Sequence, residues 1–197
     1  VCVKLFLEKG YDRTTIQDIV DGLDGLTKGA VYHHFKSKEE IMSAVGDRMF
    51  FENNPFEAVR ARTDLNGLEK LREAVRLNQA DEARSRMTVQ AVPITQNPRV
   101  LVEMIESNRR VLTPYFLQLI EEGNRDGSIH TDYPREIAEL LPLLTSLWLL
   151  PGVFPATQEE LARKFRFIGE MLEKMGLPLF DDSIRALVDD FLAQIAL

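Results

Sequence analysis

A chain of 197 residues, 45% hydrophobic and 28% charged, has the make-up of a soluble globular protein with a substantial core and one or two domains. Its single cysteine, Cys2, excludes an intrachain disulfide and a cysteine-based zinc site, and fits a reducing cytoplasm. The net charge of −7 excludes a chain that is basic throughout, so a surface for an anionic partner has to be local.

In chain order, residues 1–9 read as the tail of a helix with Cys2, Leu5 and Phe6 facing inward, stopped by Gly10. Ile16, Ile19, Val20 and Leu23 then fall at i, i+3, i+4 and i+7, the apolar stripe of a short helix, and Thr14 with Gln17 has capping-box spacing at its start. Asp24-Gly25 breaks the pattern as a turn. Thr27 can cap a second short helix whose buried side needs only Val31 and Phe35. Lys28, Gly29, Ala30, Tyr32, His33 and His34 are thereby left to face something else. Ser37 and Glu40 repeat the capping-box spacing and open a helix to Glu52, which Asn53-Asn54-Pro55 ends.

Residues 56–197 are helical in period, without an alternating strand pattern. Asn66 caps a helix bearing Leu68, Leu71, Val75 and Asn78, and a short continuation from Asp81 holds Met87. A helix from Pro98 carries Leu101, Met104, Ile105, Asn108 and Leu112. Pro114 is expected to interrupt it, with a separate helix bearing Tyr115, Phe116, Leu119 and Ile120 running to the turn at Asp126-Gly127. The segment 134–150 is apolar on nearly every side and includes Leu147 and Trp148. Prolines 142, 151 and 155 leave it too short to span a membrane, so a buried helix is expected. Thr157 with Glu160 caps the next helix, and the last begins at Asp181. The fold class is therefore all-α, with a three-helix head over 1–48 and a helical body over 49–197.

Small residues at Gly29 and Ala30 let a helix N-terminus approach another surface closely, while Lys28, Tyr32, His33 and Lys38 supply donors around it. A recognition helix in a DNA major groove needs this combination. The charge is divided accordingly: residues 1–48 carry seven Lys/Arg against eight Asp/Glu, and the rest 17 against 23. Between Gly25 and Lys38 there are three lysines, two histidines and no acid.

LFLEKGYDRTTIQDIV followed by LTKGAVYHHFKSKEEI resembles the N-terminal DNA-binding domain of the TetR family of bacterial transcriptional regulators, over roughly Cys2 to Ala44. The resemblance puts Thr27, Lys28, Gly29, Ala30, Tyr32, His33 and His34 on the recognition helix. Tyr32 and Lys38 then match phosphate-gripping positions, and Thr15 matches one at the start of the preceding helix. The turn DGLDGL (21–26) is one residue longer than is common there. The resemblance further implies a homodimer on a double-stranded palindromic operator, most often as a repressor released by a small apolar or amphipathic effector. It also implies that the first helix begins before Val1, with any basic arm outside this sequence.

Adjacent helical histidines point about 100° apart, so His33 and His34 do not converge on a metal, and no cofactor motif or catalytic signature is present. In the body, Asn78 and Asn108 interrupt apolar stripes. A buried amide either bonds within the protein or orients a ligand, and Met87, Met104, Phe116 and Trp148 would suit the wall of such a pocket. The helix at 134–150, with 157–175, is expected to pair two subunits. Two other readings are a ligand-independent DNA binder (an activator or a chromosome-organising factor) and a helical protein-binding module; the acid-free stretch from Gly25 to Lys38 disfavours the second.

Overall fold

The computed structural model describes residues 2–10, 12–23, 25, 27–80 and 97–194, and these contain helices and turns but no strand. Met87 and the continuation from Asp81 lie outside the described residues. The head holds α1 (Cys2–Lys9), α2 (Ile16–Asp21) and α3 (Lys28–His34), and α4 (Lys38–Glu52) leads out of it. Ile19, Val20, Val31, Phe6 and Ile41 are buried together, with Cys2, Leu5, Leu23, Phe35 and Val45 packed around them. Every apolar position expected inside the head thus reaches one core.

The tripeptide that ends α4 also starts another helix. Asn54 accepts from the N–H groups of Phe56 and Glu57, and Pro55 occupies the first turn of α5 (Pro55–Arg60), where its missing N–H costs nothing. Next, α6 (Gly67–Ala80) opens with a reciprocal cap between Asn66 and Glu69.

The expected break at Pro114 does not occur. Instead α7 (Pro98–Ser107) passes through a π turn (Asn108–Leu112) straight into α8 (Thr113–Asp126). A proline inside a helix removes one N–H and presses on the carbonyl four residues back; widening the preceding turn absorbs both effects. The segment with Pro142 differs: the proline lies inside α9 (Pro134–Leu143), and a π turn (Leu144–Trp148) follows it, closed by Leu149 N–H to Leu144 O at 3.1 Å. Finally come α10 (Gln158–Lys174), with its Thr157–Glu160 capping box, and α11 (Asp182–Gln194).

The body is assembled around the crossing of α6 and α8. A Cβ at Gly67 would lie 2.2 Å from the backbone nitrogen of Gly123, so the two helices touch backbone to backbone. That approach lets the end of α8 cap the start of α6. Gly67 N–H donates to Asp126 at 2.7 Å and Leu68 N–H to Ser128 at 3.1 Å. Beside the crossing, the almost fully buried Lys70 ammonium meets Glu122 at 2.6 Å. Leu71, Ile120, Ile137, Ile168 and Leu172 fill the core that results.

Gly67→Ala should destabilise the protein by about 2–3 kcal/mol, because overpacking against backbone has no side chain to yield. Gly46→Ala, at an exposed α4 position with nothing within 4 Å, should stabilise it by about 0.5–1 kcal/mol. Urea unfolding of the two variants measures both effects.

Candidate nucleic-acid interface

The head presents α3 by securing α2 beneath it. The capping box of α2 lies one residue later than its sequence spacing suggested. Thr15 Oγ1 accepts from Asp18 N–H at 3.1 Å, and Asp18 Oδ2 accepts from Thr15 N–H at 2.7 Å. Thr14 is buried instead, its hydroxyl donating to Gly10 O at 2.7 Å. The shift leaves Ile16 at the first helical position, and it puts Thr15, exposed, at the edge of the surface that α3 crosses. The Lys9 ammonium stands 2.7 Å from Asp18. The bonds from Lys9 and Thr15 hold the Asp18 carboxyl far below its ordinary 3.8. Neither Asp18 nor Lys9 was singled out from sequence; Thr15-x-x-Asp18 was the signal that could have found them.

Gly25 takes φ +82° in the turn before α3, a conformation that suits glycine. Thr27 then caps α3, accepting from Ala30 N–H at 3.2 Å. With Val31 buried and Phe35 half-buried, the chain leaves Lys28, Gly29, Tyr32, His33 and His34 exposed on one short helix, with Ala30 half-buried among them. Lys28 Nζ lies 6.0 Å from the Tyr32 ring, so the cation and the phenol belong to one patch. The His33 and His34 rings meet edge-on at 5.1 Å. A Cβ at Gly29 would meet nothing nearer than Thr27 Oγ1 at 3.9 Å. The protein's own packing therefore does not require a glycine there.

Lys38 reaches back across the head, donating from Nζ to the Thr14 carbonyl at 3.0 Å. This bond holds Lys38 next in space to the residue before Thr15. The expected contact residues, Thr15, Thr27, Lys28, Gly29, Ala30, Tyr32, His33, His34 and Lys38, thus all lie on α3 or on the helix starts flanking it.

Of the residues considered for a pocket, Asn78, Met104, Asn108, Phe116 and Trp148 lie among the described residues. Met104 packs against the head core. Phe116 meets Phe56 edge-on, and Trp148 meets Phe167, with ring centroids 5.0 and 5.7 Å apart. Asn108 is buried and donates to Ser146 at 2.6 Å, and Asn78 is half-buried near the end of α6. A separate open hollow of about 660 Å³ lies between the end of α4, α5 and α6, lined by Phe51, Asn54, Pro55, Leu77 and Ala80 among others. Among the described residues no group of three or more His, Cys, Asp or Glu could hold a metal ion.

Residues 2–45 match the family described as bacterial regulatory proteins, tetR family. Among curated proteins, the chain is 40% identical over 68 residues to the Transposon Tn10 TetC protein of Escherichia coli, covering 34% of this chain and 33% of that one. It is 28% identical over 134 residues to the HTH-type transcriptional repressor KstR2 of Mycolicibacterium smegmatis, covering 65% and 63%. The matches thus span less than two-thirds of either relative's length. A crystal structure of a bacterial regulatory protein in the tetR family from Rhodococcus RHA1 aligns with a TM-score of 0.44 and 22% identity, over 89% of this chain and 93% of that one.

Because the Asp18 pKa is depressed in the folded head, its contribution to stability is full above about pH 4 and is lost as pH falls through the lowered value. Acidification should therefore lower the protection factors of the α2 amides, each exchange rate being referred to the intrinsic rate at the same pH. Lys9→Gln should move that onset to higher pH, as followed by the Asp18 carboxyl shift in an NMR titration.

Proposed function

We propose that this chain, which by the match of residues 2–45 belongs to the TetR family of bacterial helix-turn-helix regulators, is a homodimeric repressor. It reads a palindromic operator with α3 and leaves that operator when a small apolar or amphipathic effector binds the body. Regulators of this family are DNA-binding proteins rather than enzymes. The observation that carries the reading is the surface of α3: a seven-residue helix without an acid, whose smallest residue is small for no internal reason and whose Lys28 and Tyr32 stand side by side. Such a helix fits a major groove and offers donors to phosphate and base edges.

Two subunits are required by the size of the motif, since seven residues read few base pairs and a palindrome mirrors two-fold protein symmetry. A face of α9 and α10 supports the pairing. Phe154 and Phe167 are exposed there, Phe167 by 55%, with Trp148 against Phe167. Lys164 lies over both Trp148 and Phe154, covering part of this apolar surface with its stem. Monomers rarely leave such a patch in water. The effector reading is supported by the hollow beside α4, whose volume suits a small molecule, and by the aromatic group next to it, in which Phe56 stacks on Tyr115 and Phe50 tilts against both. No helix among the described residues is long and apolar enough to cross a membrane, and the cytoplasm is the compartment this function requires.

In a binding assay on duplexes selected by the unmodified protein, Tyr32→Phe should weaken binding alike on operator and random DNA, because phosphates carry no sequence code. Lys28→Ala should relax discrimination by about 1–3 kcal/mol at one base pair per half-site. Equal losses on both DNAs for Lys28→Ala would remove its base-reading role. Phe167→Glu should yield folded monomers by light scattering and lose the operator. A monomer for the unmodified protein at micromolar concentration would overturn the dimer and the palindrome together.

A further inference from the structure

Two π turns face each other in the body, and one of them also holds the head. Asn108 opens the turn between α7 and α8. From a buried position its Nδ2 donates to Ser146 Oγ at 2.6 Å, inside the π turn that follows α9. Ser146 in turn donates to the Pro142 carbonyl of α9. On the other side of the same π turn, Ser107 Oγ donates to Asp47 Oδ1 at 2.5 Å, and the Arg110 guanidinium donates to Asp47 Oδ2. Asp47 belongs to α4, and its side chain is only 17% exposed. Two sets of polar contacts, joined through the backbone between Ser107 and Asn108, therefore form a chain from Asp47 of α4 by Ser107 and Arg110, and then by Asn108 and Ser146, to the backbone of α9.

Stability alone does not account for this arrangement. Arg110 is two-thirds exposed, and ion pairs of that kind contribute little to folding. Directionality is what the chain supplies. Two donors from successive turns of one helix fix the Asp47 carboxylate, and Val100 and Met104 of the same helix pack into the head core. Both π turns lie within a few residues of a proline, at Pro114 and Pro142, where a regular helical register is already disfavoured. The head is thus attached through its polar side next to one of the two turns at which the body's backbone is widened.

We propose that this polar chain sets the angle of the head relative to α9, which makes Asp47 and Asn108 positioning residues for two-headed DNA recognition. Its links act in series, so breaking either end releases the head as fully as breaking both. The DNA arm of the test rests on the regulator reading above; the geometric arm does not.

The experiment uses the full-length protein with Cys2→Ser, nitroxides at Glu8→Cys and Glu136→Cys, and unlabelled subunits in excess. Pulsed electron paramagnetic resonance then reads the distance from head to α9 within one subunit. Asp47→Asn and Asn108→Leu should each broaden or displace that distance, and the double variant should go no further than the larger single effect. On duplexes selected from a random library by the unmodified protein, each variant should lose roughly tenfold in affinity. The double variant should also lose roughly tenfold, where independent contacts would multiply to roughly a hundredfold. Unchanged distances in folded variants, or multiplying losses, would overturn the proposal. If Asn108→Leu does not fold, Ser146→Ala breaks the same contact with a smaller change. If the unmodified protein selects no duplex, the regulator reading fails and the distances alone decide this one.

Discussion

The architecture of the body depends on two glycines that let α6 and α8 meet without side chains between them. A methyl group at Gly67 would run into the Gly123 backbone, and one at Gly123 would run into the Ile129 side chain packed beside the crossing. Everything nearby uses that closeness. Asp126 and Ser128 reach the first N–H groups of α6, which would otherwise be buried without partners, and Lys70 finds Glu122 across the same crossing. Because α8 continues through the π turn into α7, and α7 lies on the head, the crossing also determines where the head core finds Val100.

The head solves a different problem, that of freeing a surface. A three-helix unit this small has few residues to spare, yet α3 spends only Val31 and Phe35 on the interior. Its support comes from groups at helix ends: Thr15 with Asp18, Thr27, Ser37, and the reach of Lys38 to the Thr14 carbonyl. Each satisfies a backbone group that the short helices cannot satisfy themselves. The side chains of α3 remain available because the load is carried at its edges.

Periodicity and capping made most of this legible before any coordinates. The inward residues of the head, the caps at Thr27, Ser37, Asn66 and Thr157, and the all-helical body follow from local pattern, which is where local physics dominates. Failures came where distant residues decide. Thr14 and Thr15 offer the same hydroxyl, and only burial against Leu5 and Gly10 assigns the cap to Thr15. Pro114 reads as a break because the compensating π turn has no sequence signal of its own. The partner that Asn108 has inside the protein, Ser146, lies 38 residues away, where spacing does not reach. Met104 packs on the head core, a neighbour that spacing does not name, since spacing gives a face and no more. On the candidate interface, the side chains of α3 were legible, and the Lys9–Asp18 pair beneath them was not.

The uninterrupted run from Pro98 to Asp126 makes a lever of what the sequence presents as two pieces. Its fulcrum is the glycine crossing at Gly123, and its far end, near Val100, lies about 35 Å away at the helical rise per residue. Rotating such a rod by about 5° about the fulcrum would carry the tip through about 3 Å, the reach of a hydrogen bond. Motions too small to disturb the close-packed end are thus magnified at the end that bears the head.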